Sequence, residues 1–221
     1  MTWPDVNDPL TGEIQLRPDL ALVADLIPAG SRVLDLGCGS GTLLSFLITH
    51  KQCSGTGVDS DDDQVLRAIR RGIPVLDLDI ESGLPDFADD SYDTVVMSRT
   101  LQAIRHPRRL LEEMGRVGNR LIVSVPNFGL WRNRLAILCG HMPISKDLPH
   151  TWYDSPNVRY TTLSDLEAFF AAYGFEIETR IPLVESWRPL ARGVRLANLL
   201  AGSAVYVLCR RAPGRAESVV G

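Results

Sequence analysis

The sequence is short of the features that would assign it quickly. Its four cysteines, Cys38, Cys53, Cys139 and Cys209, stand far apart and form no C-x-x-C pair, so neither a zinc site nor a disulfide framework is indicated and reduced thiols are expected. Positive charge is not in excess: 23 Lys and Arg against 27 Asp and Glu leave a formal charge of -4, which gives no electrostatic reason to expect nucleic acid as a partner. No apolar run reaches membrane-spanning length, and the acidic, Pro-broken N-terminus does not read as a signal peptide. No membrane partner is therefore expected, and the cytoplasm is the default compartment. No internal repeat and no metal-ligand cluster is apparent. What remains is the composition of an ordinary globular protein, 45% hydrophobic and 23% charged, in 221 residues that suit one α/β domain.

Against these absences stands one dense stretch, residues 32–41. Val33, Leu34 and Leu36 predict a short buried strand, after which Gly37, Gly39 and Gly41 let the backbone turn sharply and approach a ligand where a Cβ would collide. Asp35 interrupts the apolar run. A carboxylate there is costly unless it accepts hydrogen bonds, so it either braces the glycine turn through backbone N–H groups or faces a bound ligand. Residues 42–49 then read as a helix whose start points free N–H groups at that ligand.

The flanking chain alternates strands and helices. A helix over 17–27 carries Leu20, Val23, Ala24 and Ile27 on one face and ends before Pro28. A second strand, 55–58, ends at Asp59, twenty residues after Gly39, where an acid can accept both ribose hydroxyls of a nucleoside lying on the glycine turn. Asp61 or Asp62 reads as a helix cap ahead of Val65, Leu66 and Ile69. A third strand, 74–78, leads to Asp79, which either reads an adenine amine or stays a solvated loop acid. A fourth strand, 92–97, exits at Ser98, and His106 before Pro107 reads as structural. Leu110, Leu111, Met114 and Val117 mark a covering helix, and 120–125 a fifth strand. Thr162 and Asp165 look like a helix start, with Leu166, Phe169, Phe170 and Tyr173 as its apolar stripe. Strands follow at 175–181 and 204–209, and between them Arg188, Arg192 and Arg195 fall on one helical face. This alternation predicts a single Rossmann-like α/β domain, a seven-stranded and mostly parallel sheet with helices on both faces. Its expected parts are an N-terminal arm at 1–16, a domain at 17–211 with a lid or docking insertion at 126–160, and a disordered tail at 212–221.

The glycine turn with acids at Asp59 and Asp79 resembles the cofactor motifs of class I S-adenosylmethionine-dependent methyltransferases. A dinucleotide dehydrogenase would need glycine at position 42, which is Thr42. A closer resemblance covers most of the chain. Val33–Gly41, Ser98–Ala103, Pro126–Arg134 and Trp152–Asn157 are similar to the methionine biosynthesis protein MetW family, with the Trp131-Arg132-Asn133-Arg134 run the most specific. The resemblance implies S-adenosylmethionine or S-adenosylhomocysteine as cofactor, with contacts at Asp35, Gly37, Cys38, Gly39, Gly41, Asp59, Ser60, Asp79, Ile80 and Ser98. It implies an accessory subunit beside a homoserine O-acyltransferase, which it supports or regulates.

Two functions follow from this. As a regulatory partner, the chain presents Phe128, Trp131, Arg132 and Arg134 as its contact surface, since buried Trp and Arg dominate interface energetics; the bland alternative makes Trp131 a core anchor and the arginines solvated. As an independent small-molecule methyltransferase, it needs a nucleophile in near-attack geometry and usually a base, with His150, Tyr153 and Asp154 as candidates. None of the three belongs to a specific catalytic constellation, so the sequence supports cofactor recognition better than catalysis.

Overall fold

In the computed structural model residues 14, 16–191 and 194–211 are described; the tail, most of the arm and Arg192 lie outside them. The chain runs α1 (Pro18–Leu26), β1 (Arg32–Leu36), α2 (Thr42–Lys51), β2 (Ser54–Asp59), α3 (Asp62–Arg70), β3 (Val75–Asp77), β4 (Tyr92–Ser98), α4 (Pro107–Val117), β5 (Gly118–Pro126), α5 (Trp131–Leu138), α6 (Leu163–Ala172), β6 (Phe175–Leu183), α7 (Ala197–Leu200) and β7 (Ser203–Arg210). The strands form one sheet in the order β3-β2-β1-β4-β5-β7-β6. The first five are parallel; β7 pairs antiparallel with both β5 and β6.

Residue alternation explains why the sheet sits in the middle. Leu34, Leu36, Val95, Met97, Leu121 and Val123 pack with α4 and α6 on one face, whereas Val33, Val96, Ile122, Val205 and Val207 pack with α1 and α2 on the other. Central strands are therefore apolar on both sides, as a doubly covered parallel sheet requires. The chain winds outward from β1 through β2 to β3, then returns to the far side of β1 with β4. The carboxyl ends of β1 and β4 thus diverge, and an open α/β sheet binds ligands in that crevice.

Local signals were obeyed where they depend on near neighbours. Asp61 caps α3 by accepting from the N–H groups of Asp63 and Gln64. Thr162 caps α6 and shares a reciprocal bond with Asp165, at 3.2 Å to its N–H and 2.7 Å to its carboxylate. His106 bonds to Glu81 at 3.0 Å, tying the exit of β3 to the start of α4. The four cysteines are free. Three expectations need revision. The third strand is shorter than 74–78. The helix α5 opens the insertion after β5. The arginines Arg188 and Arg195 share no helix: residues 184–190 fold back on β6, with Trp187 N–H donating to Val184 O and Leu190 N–H to Pro182 O, and Trp187 at φ 60° breaks any helical path.

Candidate functional site

The glycine turn is built by β1 ending against β2. Gly37 and Cys38 both donate their N–H to Val58 O, at 2.8 and 3.1 Å, so the backbone curls over the second strand. Gly37, Gly39 and Gly41 all have positive φ, between 55° and 74°. At Gly37 a Cβ would also collide with the Thr100 side chain, so glycine is needed for space as well as for conformation. Gly57 on β2 leaves room for Cys38, whose Sγ would lie 2.5 Å from a Cβ there. From below, Arg71 at the end of α3 donates to Ser40 O at 2.7 Å and to Thr42 Oγ1 at 3.0 Å, pinning the turn to α3.

The two acids of the turn divide the roles that the sequence left open. Asp59 is the brace: its Oδ2 accepts from Gly39 N–H at 2.7 Å and its Oδ1 from Asp61 N–H at 3.1 Å. Asp35 is 3% exposed, lines a cavity of about 720 Å³, and accepts no hydrogen bond among the described residues. Burial in the first place, and the nearby Asp59 charge in the second, push its carboxyl up to about 7. An unpartnered buried carboxylate at the edge of a cavity is matched chemically by an ammonium or another cationic donor. Burial also drives the Cys38 thiol well above its usual range, so Cys38 lines the site as an inert neutral group. Among the described residues no side chain caps the start of α2, and the positive end of its dipole points toward the glycine turn.

The structure brings together Asp35, Gly37, Cys38, Gly39, Ser98 and His150 as cavity lining. Gly41 stands behind them at the start of α2. Asp59, Ser60, Asp79 and Ile80 lie outside the lining, at the ends of β2 and β3, where the groove is open. Asp79 accepts from Glu81 N–H at 2.9 Å and is exposed. Tyr153 and Asp154 are exposed and do not line the cavity. Among the described residues no group of three His, Cys, Asp or Glu is placed to hold a metal, and no helix is long and apolar enough to cross a membrane.

The opposite wall joins residues far apart in the chain, with no local pattern to pair them. Arg99, at φ 55°, donates its backbone N–H to Ser124 and reaches Asp147 through Nη1 at 2.7 Å and Asp147 O through Nη2 at 2.9 Å. Asp147 is buried and also accepts from Trp187 Nε1 at 3.3 Å. Arg99, Asp147 and Trp187 all line the cavity, with Gln102 and Asn157 beside them. Arg99 and Asn157 belong to stretches already singled out by the family resemblance; nothing local marks Trp187.

The proposed partner residues separate. Trp131 is exposed, not a core anchor, and Arg132 stacks on it with the guanidinium carbon 5.4 Å from the ring centre while pairing with Glu185 at 3.0 Å. Phe128 is half-buried against Tyr160, and Arg134 donates Nε to Gly129 O at 2.7 Å.

The sheet order, with the single reversed strand β7 inserted between β5 and β6, the glycine turn after β1 and the crevice beside β4 define a class I methyltransferase fold. Solved structures agree: an S-adenosylmethionine-dependent methyltransferase from Thermotoga maritima superposes with a TM-score of 0.64 at 20% identity over 88% of each chain. Magnesium protoporphyrin IX methyltransferase from Synechocystis, a structure with bound S-adenosylhomocysteine, gives 0.60 at 18% identity over 87% of this chain and 80% of that one. Within that class the chain belongs to the methionine biosynthesis protein MetW family, whose model matches residues 17–208. A bifunctional methionine biosynthesis protein MetXA/MetW from Rhodopirellula baltica is 33% identical over 187 residues, which are 80% of this chain and 30% of that protein. A demethylmenaquinone methyltransferase from Paenarthrobacter aurescens is 34% identical over 143 residues, 58% of this chain and 53% of that enzyme. The chain thus spans about a third of the first relative and half of the second, and its role in methionine biosynthesis follows from the family.

Proposed function

We propose that this chain is an S-adenosylmethionine- or S-adenosylhomocysteine-binding subunit of methionine synthesis that associates with a homoserine O-acyltransferase and supports or regulates it. The observation that carries the reading is the buried Asp35 carboxylate beside the glycine turn, without a hydrogen-bond donor among the described residues, in a chain whose MetXA/MetW relative holds this domain in one polypeptide with another protein. The residues fit the cofactor. Asp35 suits the α-ammonium of its amino-acid half, the positive end of the α2 dipole suits that half's carboxylate, and Asp59 at the end of β2 suits the ribose hydroxyls, since each of its oxygens accepts a single hydrogen bond among the described residues. Asp79 and Ile80 flank the open end of the groove, where an adenine would lie.

Bound there, the sulfonium form would supply an electrophilic methyl group. The cavity's far wall offers His150 as the one sequence-nominated base in reach of that space, which favours a second reading, an independent small-molecule methyltransferase. Calorimetry with S-adenosylmethionine and S-adenosylhomocysteine tests the pocket, and the absence of heat and of a thermal shift would remove both readings. Co-purification with the homoserine O-acyltransferase, with acyl-transfer rates measured with and without this chain, tests the partner. No complex and an unchanged rate would leave only the methyltransferase reading.

A further inference from the structure

The insertion after β5 has two unlike faces. Outward, Trp131, Leu135 and Leu138 recur at the i, i+4, i+7 spacing along α5 and are 45%, 50% and 84% exposed, and Ile144 just beyond is 63% exposed. Inward, the same segment sends Asp147, Pro149 and His150 into the cavity wall. A stripe of three large apolar side chains in water along one helix is not what a stable monomer surface presents, and such patches mark interaction sites.

Three attachments make the two faces one mechanical unit. Asn133, on the inner side of α5, is buried and donates Nδ2 to Asn127 O at 3.2 Å. Arg132 reaches Glu185 in the loop that carries Trp187, and Lys146 Nζ sits 4.5 Å from the Trp187 ring centre. Asp147 is held by Arg99, the residue directly after Ser98 at the end of β4, and by Trp187. These contacts connect Arg99 and Asp147 in the cavity wall to the base of α5.

We infer that the outer face of α5 docks the homoserine O-acyltransferase, with Trp131, Leu135 and Leu138 as anchors, and that the Arg99–Asp147 pair links this docking to occupancy of the cavity. This rests on the proposed function and names its surface and its coupling. The occupant is the acyltransferase rather than a second copy because the Rhodopirellula relative, in which this domain is 30% of the length, keeps a different protein permanently beside it. The surface differs from the residues that composition nominated: Phe128 packs on Tyr160, Arg134 is tied to the backbone, and Trp131 remains as the common element. Linkage requires reciprocity: if the acyltransferase changes the affinity for S-adenosylhomocysteine by some factor, the ligand changes the affinity for the acyltransferase by the same factor.

The test uses full-length chain and intact acyltransferase. Leu138→Glu alters an exposed side chain and is expected to weaken the complex at least tenfold while S-adenosylhomocysteine affinity of the isolated chain stays within twofold. Asp147→Asn is expected to bring the ratio of ligand affinities with and without acyltransferase to about one, whereas the wild type shows at least a threefold ratio. Arg99→Lys keeps the charge and should retain part of that ratio. A complex that survives Leu138→Glu within twofold overturns the docking face while leaving the proposed function standing. A wild-type ratio of one overturns the coupling. A wild-type chain that sediments as a dimer dissolved by Leu138→Glu makes the occupant a second copy and overturns the assignment. If the wild-type chain binds no acyltransferase at all, the proposed function falls with it.

Discussion

Replacing Asp35 with asparagine tests the site at the group where stability and ligand recognition pull in opposite directions. Burial raises the carboxyl from an ordinary value near 3.8 to about 7, a difference of roughly 3 units worth about 4 kcal/mol at most. Because the folded-state value lies above the unfolded one, the folded protein holds this proton more tightly. The Asp35 contribution is then most favourable at acid pH, falls as pH rises from about 4 to about 7, and stays low above that window. Asp35→Asn removes the loss. At pH 8 the ligand-free variant should be more stable than the wild type, and a gain of about 2 kcal/mol would raise Tm by roughly 4 to 8 °C, with the two proteins converging near pH 4. The same change deletes a charged acceptor for the ligand ammonium, a bond of about 1.5–3 kcal/mol, so S-adenosylhomocysteine should bind roughly ten- to a hundredfold more weakly. Methylthioadenosine has no ammonium, and its affinity should stay within about twofold. Scanning calorimetry from pH 4 to 8 and titration with both ligands make the measurement. An Asp35→Asn protein less stable than the wild type at pH 8, or equal losses for the two ligands, would refute the assignment.

Gly37→Ala places a Cβ on the Thr100 side chain at a φ of 73°, so it should cost about 2–4 kcal/mol in chemical denaturation. Arg71→Met frees Ser40 O from its clamp and should weaken S-adenosylhomocysteine binding about tenfold, with Arg71→Lys intermediate, read by calorimetry. Trp187→Phe keeps the ring and loses the bond to Asp147, costing about 1 kcal/mol; it should also remove the ligand-dependent part of the tryptophan fluorescence, because Trp187 lines the cavity. Thiol labelling at pH 8 should reach exposed Cys139 first, ahead of buried Cys53 and of Cys38, whose thiol is raised by burial.

What could be read from the sequence follows the range over which each feature is determined. The strand, glycine turn and helix at 32–51 are fixed by residues within one turn of each other, and Asp61 and Thr162 cap helices three positions on, so composition and spacing suffice. Periodicity misled where a turn interrupted it: Arg188, Arg192 and Arg195 keep helical spacing, but Trp187 turns into the left-handed region and Pro189 bridges back to Leu183. The insertion was visible as a dense aromatic and charged stretch, yet its helix and its two faces were not, because α5 is only eight residues long and lacks a capping side chain.

The sequence alone determined the class of fold, the place of the glycine turn and the identity of the two acids beside it. Which acid braces the turn and which faces the cavity was decided by tertiary structure: Gly39 N–H is brought to Asp59, and the walls of the cavity that Asp35 lines come from α1, α3 and segments as distant as Asp147 and Trp187. The Arg99–Asp147–Trp187 wall joins positions 48 and 40 residues apart, and no local pattern specifies such pairings. They exist because the diverging crossovers at β1 and β4 leave a crevice, and the chain that returns over it must satisfy its buried charges there.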